Sequence, residues 1–482
     1  MKYEEIQKLF LERGFFFPSS EIYPDSPAGF WDYGPLGVSF RNKFIDLWRK
    51  ELVRRDDMLE IDGSQILSKN VFVASGHLEN FSDPIVNCAS CNSVFRADRM
   101  ISDILGKNLS EKLPTDLYDK YISDNNINCP NCNNKFSLVS NFNMMYKVGI
   151  GPKQEESFLR PETCQTIFVD FLRLFKTMRI KLPIGIAQFG KSFRNEISPR
   201  QSLLRLREFY QAEIEVFFNP AKVDNYSKFS SISDFEIPIC LDDEKIVVKS
   251  CHDFVKDGII PNQFIAYYLA ILKQFFDKTG IDTSKMRFRK LLDDDRAFYS
   301  SHAFDFEVLT SLGWIELVAC NDRSDFDLSR HSNLSGKDIT VMDDESKILP
   351  NVFEISMGIE RSLYSIFEHS FKYEDQRSLL TLKSYLSPFF IAIFPLVNKN
   401  NLPELAHNIY EDLKLDFNVF YDESGSIGRR YRRQDEIGTP FCITVDFETL
   451  ESETVTLRNR DSMEQIRIPI KDLKVKLQDI KL

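Results

Sequence analysis

Between Gln188 and Phe218 the chain reads QFGKSFRNEISPRQSLLRLREFYQAEIEVFF, and this stretch restricts the possible folds more than any other. At a period of two, Gln188, Ser192, Arg194 and Glu196 fall on one face of an extended strand, while Ala187, Phe189 and Phe193 fall on the other. The return run repeats the pattern, with Gln211, Glu213 and Glu215 alternating against Tyr210, Ala212, Ile214, Val216 and Phe218. Two such strands predict a hairpin with one polar face and one core face. The loop between them carries Pro199, Arg200, Arg205 and Arg207, too irregular for a helix and too basic for a core, as a loop closing over an anion would be. The same place contains Gly185-Ile-Ala-Gln-Phe-Gly190-Lys191-Ser192, which fits the phosphate-binding loop pattern letter for letter. That pattern needs a flexible loop followed by a helix. Here the residues between the glycines alternate as a strand does and stay extended to Pro199, so we reject the nucleotide-loop reading.

At 482 residues the chain has room for two or three domains and a large core. Hydrophobic content of 43% and charged content of 28% are ordinary for a water-soluble enzyme, and 42 phenylalanines beside three tryptophans need only a Phe-rich core. No run approaches the roughly 18 apolar residues of a membrane span. The start, MKYEEIQKLF, is too charged for a secretory signal, so the expectation is a cytoplasmic protein with no membrane association. A net charge of −11 argues against non-specific nucleic-acid binding, yet Arg429, Arg430, Arg432 and Arg433 form a local basic patch. Nine cysteines are too dilute for a disulfide scaffold, but Cys88-Ala-Ser-Cys91 and Cys129-Pro-Asn-Cys132 form two knuckles. Four thiolates so spaced suit a structural zinc ion; the competing reading, a redox pair, would place one knuckle at a strand–helix junction. The polar stretch between them predicts an insertion with its own helix.

Residues 1–20 read as a helix broken at Phe17-Pro18, and Gly29 to Gly37 as an irregular, turn-rich run. Phe40, Phe44, Leu47, Trp48 and Leu52 recur at helical spacing within Val38 to Arg55, followed by an extended segment from Leu59 to Leu67. The run Thr166 to Phe175 predicts a core helix through Ile167, Phe171, Leu174 and Phe175. Residues 219–300 show no chemical constellation, only a helix-like run from Gln263 to Lys278 and a basic run at Arg287, Arg289 and Lys290, read as a solvated face rather than an RNA contact. Gly313 to Arg323 reads as a strand with Trp314, Glu316 and Val318 on one side; Pro350 to Arg361 turns from strand to helix at Gly358. Beyond Pro388, strands at Phe389–Phe394, Phe417–Tyr421 and Phe441–Phe447 alternate with a helix whose apolar face is Leu402, Leu405, Ala406, Ile409 and Leu413, predicting a small α/β unit with a partly parallel sheet.

Phe193-Arg-Asn-Glu196, the basic loop and Arg205-x-x-x-Phe209 together resemble motif 2 of class II aminoacyl-tRNA synthetases, and Arg207-Glu-Phe-Tyr-Gln-Ala-Glu-Ile-Glu215 resembles its glycyl-tRNA synthetase form. Leu159-Arg-Pro-Glu-Thr163 resembles the L-R-P-E-T-A-Q-G signature of that family, departing from it at Cys164 and Thr166. Pro350 to Arg361 resembles motif 3, with Ile355 and Met357 where the family more often has Pro and Phe. Gly428 to Phe441, GRRYRRQDEIGTPF, resembles the anticodon-binding domain of the glycyl enzymes.

The resemblance implies an α+β chain: a class II antiparallel-sheet catalytic domain over 1–385, with a zinc-knuckle insertion at about 85–140 and a variable insertion at about 219–300, then an α/β anticodon-binding domain over 386–482. It implies a homodimer, with the helix and strand of residues 38–67 in the dimerisation position. The implied reaction joins glycine to ATP as glycyl-adenylate and transfers it to the 3′ end of tRNA(Gly), with ATP, Mg2+ and structural Zn2+ as cofactors. By position, Arg194 would meet the α-phosphate, Arg205 and Arg207 the outer phosphates, Arg361 the adenine or γ-phosphate, Glu196 the adenine side, and Glu316 the magnesium. Arg194, Glu196 and Arg361 are the implied catalytic set; Asn195, Leu204, Leu206, Glu208, Phe209, Leu317, Gly358, Ile359 and Glu360 complete the ATP site. The implied glycine site is Arg96, Glu162, Phe209, Tyr210, Gln211, Ala212, Glu213, Glu354, Ile355, Ser356, Met357 and Gly358, with Glu162, Glu213 and Ser356 as ammonium acceptors. Arg429, Arg430, Tyr431, Arg432 and Arg433 are the implied tRNA contacts. Two other readings stand: a class II synthetase for another small amino acid, which should lack the R-P-E and Y-R-R-Q-D-E-I-G-T-P phrases, and a non-catalytic nucleic-acid-binding subunit, which would lose the arginines and glutamates of the polar floor.

Overall fold

The computed structural model describes residues 2–481 apart from 108, 111, 112, 198, 200, 201, 242–244, 294, 375 and 376, so Arg200 lies outside the described residues. Nine strands form the main sheet: β1 (Leu59–Ile61), β2 (Ile184–Phe193), β3 (Glu208–Phe218), β4 (Glu236–Cys240), β5 (Ile246–Ser250), β6 (Met286–Lys290), β7 (His302–Thr310), β8 (Gly313–Ser324) and β9 (Asn351–Gly358). Their order is β5-β4-β6-β7-β8-β9-β3-β2-β1, antiparallel except where β1 joins β2 and β4 joins β6. The predicted hairpin is β2 with β3, in a register that sets Gln188 opposite Glu213. Across β3 and β9, Glu213 faces Ser356 and Glu215 faces Glu354; across β8 and β9, Glu354 faces Asn321. Because alternate side chains share a face, these pairings gather polar groups from four strands into one floor.

The other face of the sheet is apolar. Ala212, Ile214 and Val216 of β3 pack there with Phe40, Phe44 and Trp48 of the helix Pro35–Trp48, and with Phe264, Leu272 and Phe276 of the helix Gln263–Asp277. On the polar face, the helix Cys164–Met178 covers one end, where Phe171 stacks on Phe217 at 4.1 Å between ring centroids. Each such aromatic burial contributes roughly 2–3 kcal/mol. The opposite end of that face stays open and forms the cavity described below.

Several expectations change. The first helix stops at Arg13, and Phe16–Pro18 pairs instead with Trp31–Tyr33, a strand within the run expected to be irregular. Leu59 to Leu67 splits into β1 and Ile66–Ser68, which belong to different sheets. Residues 219–300, expected as an insertion, are woven into the main sheet through β4, β5 and β6 and into its core through Gln263–Asp277. The basic run there is solvated only in part: Arg287 pairs with Glu307 at 2.7 Å and lies 4.0 Å over Trp314, while Arg289, its side chain 42% exposed, pairs with Asp305 at 3.1 Å. A register shift between Phe306 and Glu307 breaks the alternation of β8, so Val318 joins the core while Glu316 lies on the cavity side.

The two cysteine knuckles belong to a module with its own three-stranded sheet (Ser82–Asn87, Val94–Arg96, Ser140–Asn143) and two helices (Ala97–Leu105, Thr115–Asp124) around buried Val86, Ile101 and Tyr118. Beyond residue 388, a five-stranded sheet in the order Val419–Tyr421, Ile391–Pro395, Phe441–Val445, Thr454–Asn459, Gln465–Pro469 is parallel over its first three strands. It has a separate apolar core around Ile393, Ile409 and Ile443. Among the described residues, no helix is long and apolar enough to cross a membrane.

Candidate active site

A cavity of about 700 Å³ opens over the polar floor, bounded by the hairpin, β8, the turn from β9 into the helix Ile359–Ser370, and residues 81–99 of the cysteine module. One side is cationic. Arg194 donates from Nε to the carbonyl of Pro161 at 3.1 Å, and its guanidinium lies 5.4 Å from the Phe81 ring and 5.3 Å from the Phe209 ring. Among the described residues its terminal nitrogens take part in no hydrogen bond, so they remain open to an anion. Gly358 ends β9, and the first helical turn after it delivers Arg361, which donates to the carbonyls of Leu204 at 3.3 Å and Glu316 at 3.2 Å. Arg205 pairs with Glu196 at 2.6 Å. Glu316 is half-exposed: its side chain is 46% exposed and 3.4 Å from Arg361.

The other side is anionic. Oε1 of Glu162 accepts from Sγ of Cys164 and Nε2 of Gln165, both at 2.9 Å, and lies 3.3 Å from Nε2 of His77. Burial opposes the charge on Glu162, but His77 and then Arg323 outweigh it and hold the carboxyl well below the ordinary range. Glu213 goes the opposite way: burial, then the Glu162 charge, raise its pKa against hydrogen bonds from Ser356 at 2.6 Å and Thr163 at 2.5 Å. Burial pushes Glu354 up to about 7, with Arg323 opposing the rise and Glu162 and Glu213 adding to it. Glu215 is raised by burial and by Glu354, and among the described residues neither of its oxygens finds a hydrogen-bond partner. Arg323 is a buried guanidinium within this group; it donates to Glu354 at 3.0 Å and to Asp327 at 2.6 Å, under the Tyr299 ring at 3.8 Å. So many buried carboxyls around so few cations make a place that gains strongly from one further small cation, such as an ammonium.

The structure brings Arg96, Glu162, Arg194, Glu196, Leu204, Arg205, Leu206, Phe209, Gln211, Glu316, Leu317, Glu354, Ser356, Gly358, Glu360 and Arg361 to the cavity wall. Glu213 lies one layer beneath, reaching the cavity through Ser356 and Gln211. Tyr210, Ala212, Ile355, Met357 and Ile359 pack on the core side instead. Glu208 pairs with Lys191, and Arg207 donates to the carbonyls of Glu196 and Ala28 at 2.9 Å, so neither borders the cavity; Asn195 donates its backbone N–H to Met144 at 2.8 Å. Sequence reading missed His77, Tyr299 and Arg323. Arg323 and Asp327, spaced as an i,i+4 pair, carried a signal for the last; the other two carried none.

The four knuckle sulfurs lie within 4.8 Å of one another, Cys88 to Cys132 at 3.4 Å and Cys91 to Cys129 at 3.7 Å. A tetrahedral zinc spaces its sulfurs by about 3.8 Å, so this donor set fits one. On the helix Ile427–Ile437, Arg429 and Arg432 are exposed. Arg430 is not: it is 2% exposed and donates to the carbonyls of Pro395, Leu396, Asp422 and Gly425, which corrects its expected place at a tRNA surface. Arg433 is bound to Asp422, and the hydroxyl of Tyr431 to Thr444 at 2.5 Å.

The family model described as tRNA synthetase class II core domain (G, H, P, S and T) matches residues 122–236, and the one described as Anticodon binding domain matches 391–480. Glycine–tRNA ligase of Methanococcus maripaludis is 38% identical, with 99% of each chain covered. The glycine–tRNA ligase of Pyrococcus furiosus is also 38% identical at the same coverage. The chain belongs to the glycine–tRNA ligase family. Prolyl-tRNA synthetase of Giardia lamblia, solved in complex with prolyl-adenylate, shares the fold at a TM-score of 0.61 and 15% identity, covering all of this chain and 79% of its own. The core-domain match takes in Glu162, Arg194 and Arg205 of the cavity wall, and the second match takes in the helix Ile427–Ile437.

Proposed function

We propose that this glycine–tRNA ligase activates glycine with ATP in the cavity, forming glycyl-adenylate, and then transfers glycine to the 3′ end of tRNA(Gly). One observation carries the assignment of sites: phosphate-seeking Arg194 and Arg361 and ammonium-seeking Glu162 line the same cavity. The glycine carboxylate attacks the α-phosphate, its bond to phosphorus forms, and pyrophosphate leaves with the electrons of the broken P–O bond. Arg194 and Arg361 offset charge building on the phosphate oxygens, so the protein contributes position and electrostatics rather than proton transfer. Glu162, with Ser356 and Glu213 beneath, holds the ammonium. Rejection of larger amino acids then requires a wall that collides with their side chains.

Magnesium would be held by Glu316, whose half-exposed carboxylate on the cavity wall offers the hard oxygens it prefers. When bound, it shields phosphate charge. Zinc in the four-cysteine module serves structure. Exposed Arg429 and Arg432 form the tRNA-facing part of the basic helix, in an anticodon-binding domain over residues 386–482 that follows a catalytic domain over 1–385. A cytoplasmic homodimer, with the helix Pro35–Trp48 and β1 near the subunit contact, completes the reading. Pyrophosphate exchange across the amino acids tests it: glycine alone should support exchange, exchange with another small amino acid would mark a different specificity, and none with any would mark a non-catalytic binding subunit.

A further inference from the structure

His77 stands outside every motif above, yet it reaches the floor. The helix Lys69–Ala74 ends in a turn at Gly76, where φ is +81°, and the short helix His77–Asn80 follows before the first strand of the cysteine module. His77 is 7% exposed; its Nδ1 lies 2.8 Å from Oγ of Ser75 and its Nε2 3.3 Å from Oε1 of Glu162. A carboxylate only accepts, so Nε2 carries the proton facing Glu162, while Ser75 fixes the ring through Nδ1. With Cys164 and Gln165, His77 crowds three donors onto Oε1; among the described residues no hydrogen bond falls on Oε2. The same turn supplies Phe81, whose ring backs the Arg194 guanidinium. Asn143, from the cysteine module, holds the turn by donating to the carbonyls of His77 at 3.4 Å and Leu78 at 3.1 Å.

We propose that His77 is a positioning residue for glycine: braced by Ser75, it occupies one oxygen of Glu162 and leaves the other for the ammonium, while Phe81 of the same turn steadies the arginine that meets ATP. This rests on the reading of the cavity as a glycine and ATP site. It also gives the cysteine module a task at the reaction centre, since its strand holds the turn that serves both substrates.

Pyrophosphate exchange with the full-length enzyme separates the possibilities. His77→Leu should raise the glycine KM by about tenfold or more, the effect of losing a hydrogen bond to a charged group, with the ATP KM little changed. His77→Gln keeps an N–H donor and should restore most of the glycine KM. Phe81→Leu should do the reverse, raising the ATP KM and sparing glycine. If His77→Leu fails to fold, Ser75→Ala carries the test, with a glycine KM raised a few-fold against an unchanged ATP KM. An unchanged glycine KM in His77→Leu, a His77→Gln no better than it, or glycine and ATP KM rising together would overturn the proposal. Wild-type enzyme that exchanges with no glycine at all would instead overturn the cavity reading.

Discussion

In the cavity, Arg194 gives one hydrogen bond to a carbonyl and turns its terminal nitrogens to open volume, whereas on the helix Ile427–Ile437 Arg430 spends its guanidinium on carbonyls and is 2% exposed. Both stand in arginine-bearing phrases that resemble known motifs. The difference lies in their surroundings: the hairpin leaves the terminal nitrogens of Arg194 without an acceptor among the described residues, while the C-terminal fold wraps a loop around Arg430. An arginine in a motif is therefore available for a ligand only where the fold leaves it unsatisfied. The carboxyls teach the same lesson with the sign reversed, since Arg458 and Arg377 satisfy Asp435 in the C-terminal region while Glu215 accepts no hydrogen bond among the described residues.

Substitutions sharpen the contrast. Arg194→Ala should lower kcat for pyrophosphate exchange by about a hundredfold or more, roughly 3 kcal/mol, with the thermal midpoint little changed, because the lost group acts on developing charge. Arg430→Ala should do the opposite, costing about 2–3 kcal/mol of stability in urea while exchange in the folded enzyme persists, because buried carbonyls lose their donor. If Arg430→Ala weakened tRNA charging at full stability, the comparison would fail. On the same helix, Arg432→Ala should leave stability within about 0.5 kcal/mol and raise only the KM for tRNA.

The smallest effect is in pH. Burial holds Glu354 up to about 7, so between the ordinary carboxyl range and that value the unfolded chain gives up a proton the folded chain retains, and the unliganded enzyme loses stability as pH rises through this window. An ammonium favours the ionised carboxyl, so glycine binding should strengthen as pH rises through about 7. The rise in melting temperature given by saturating glycine should be larger at pH 8 than at pH 6; equal shifts would show that Glu354 does not respond to the ligand.

The hairpin was legible because alternation at period two is a property of the strand itself, and the strand-to-helix turn at Gly358 was legible for a similar local reason. What crosses the sequence was not. The register shift in β8 reverses the side of Val318 relative to Glu316, and no local pattern announces it. Residues 219–300 looked featureless because the helix Gln263–Asp277 and the inward residues of β4 and β6 are buried as ordinary core while β5 is an exposed edge strand, and Tyr299 alone of those named above reaches the site. The partners of Arg430, and the reach of His77 to Glu162, depend on chain segments far apart. Most of the site's cations and carboxyls, though not Arg323, could be read from the sequence, and the fold decided which were free.

The claim that one cavity offers an ionised carboxyl to an ammonium and arginines to a triphosphate is tested most directly by Glu162→Gln. Steady-state exchange should show the glycine KM raised by about tenfold or more with the ATP KM nearly unchanged, as expected when a charged acceptor loses its charge but keeps its shape. Equal rises in the two constants, or no rise in glycine KM, would contradict it.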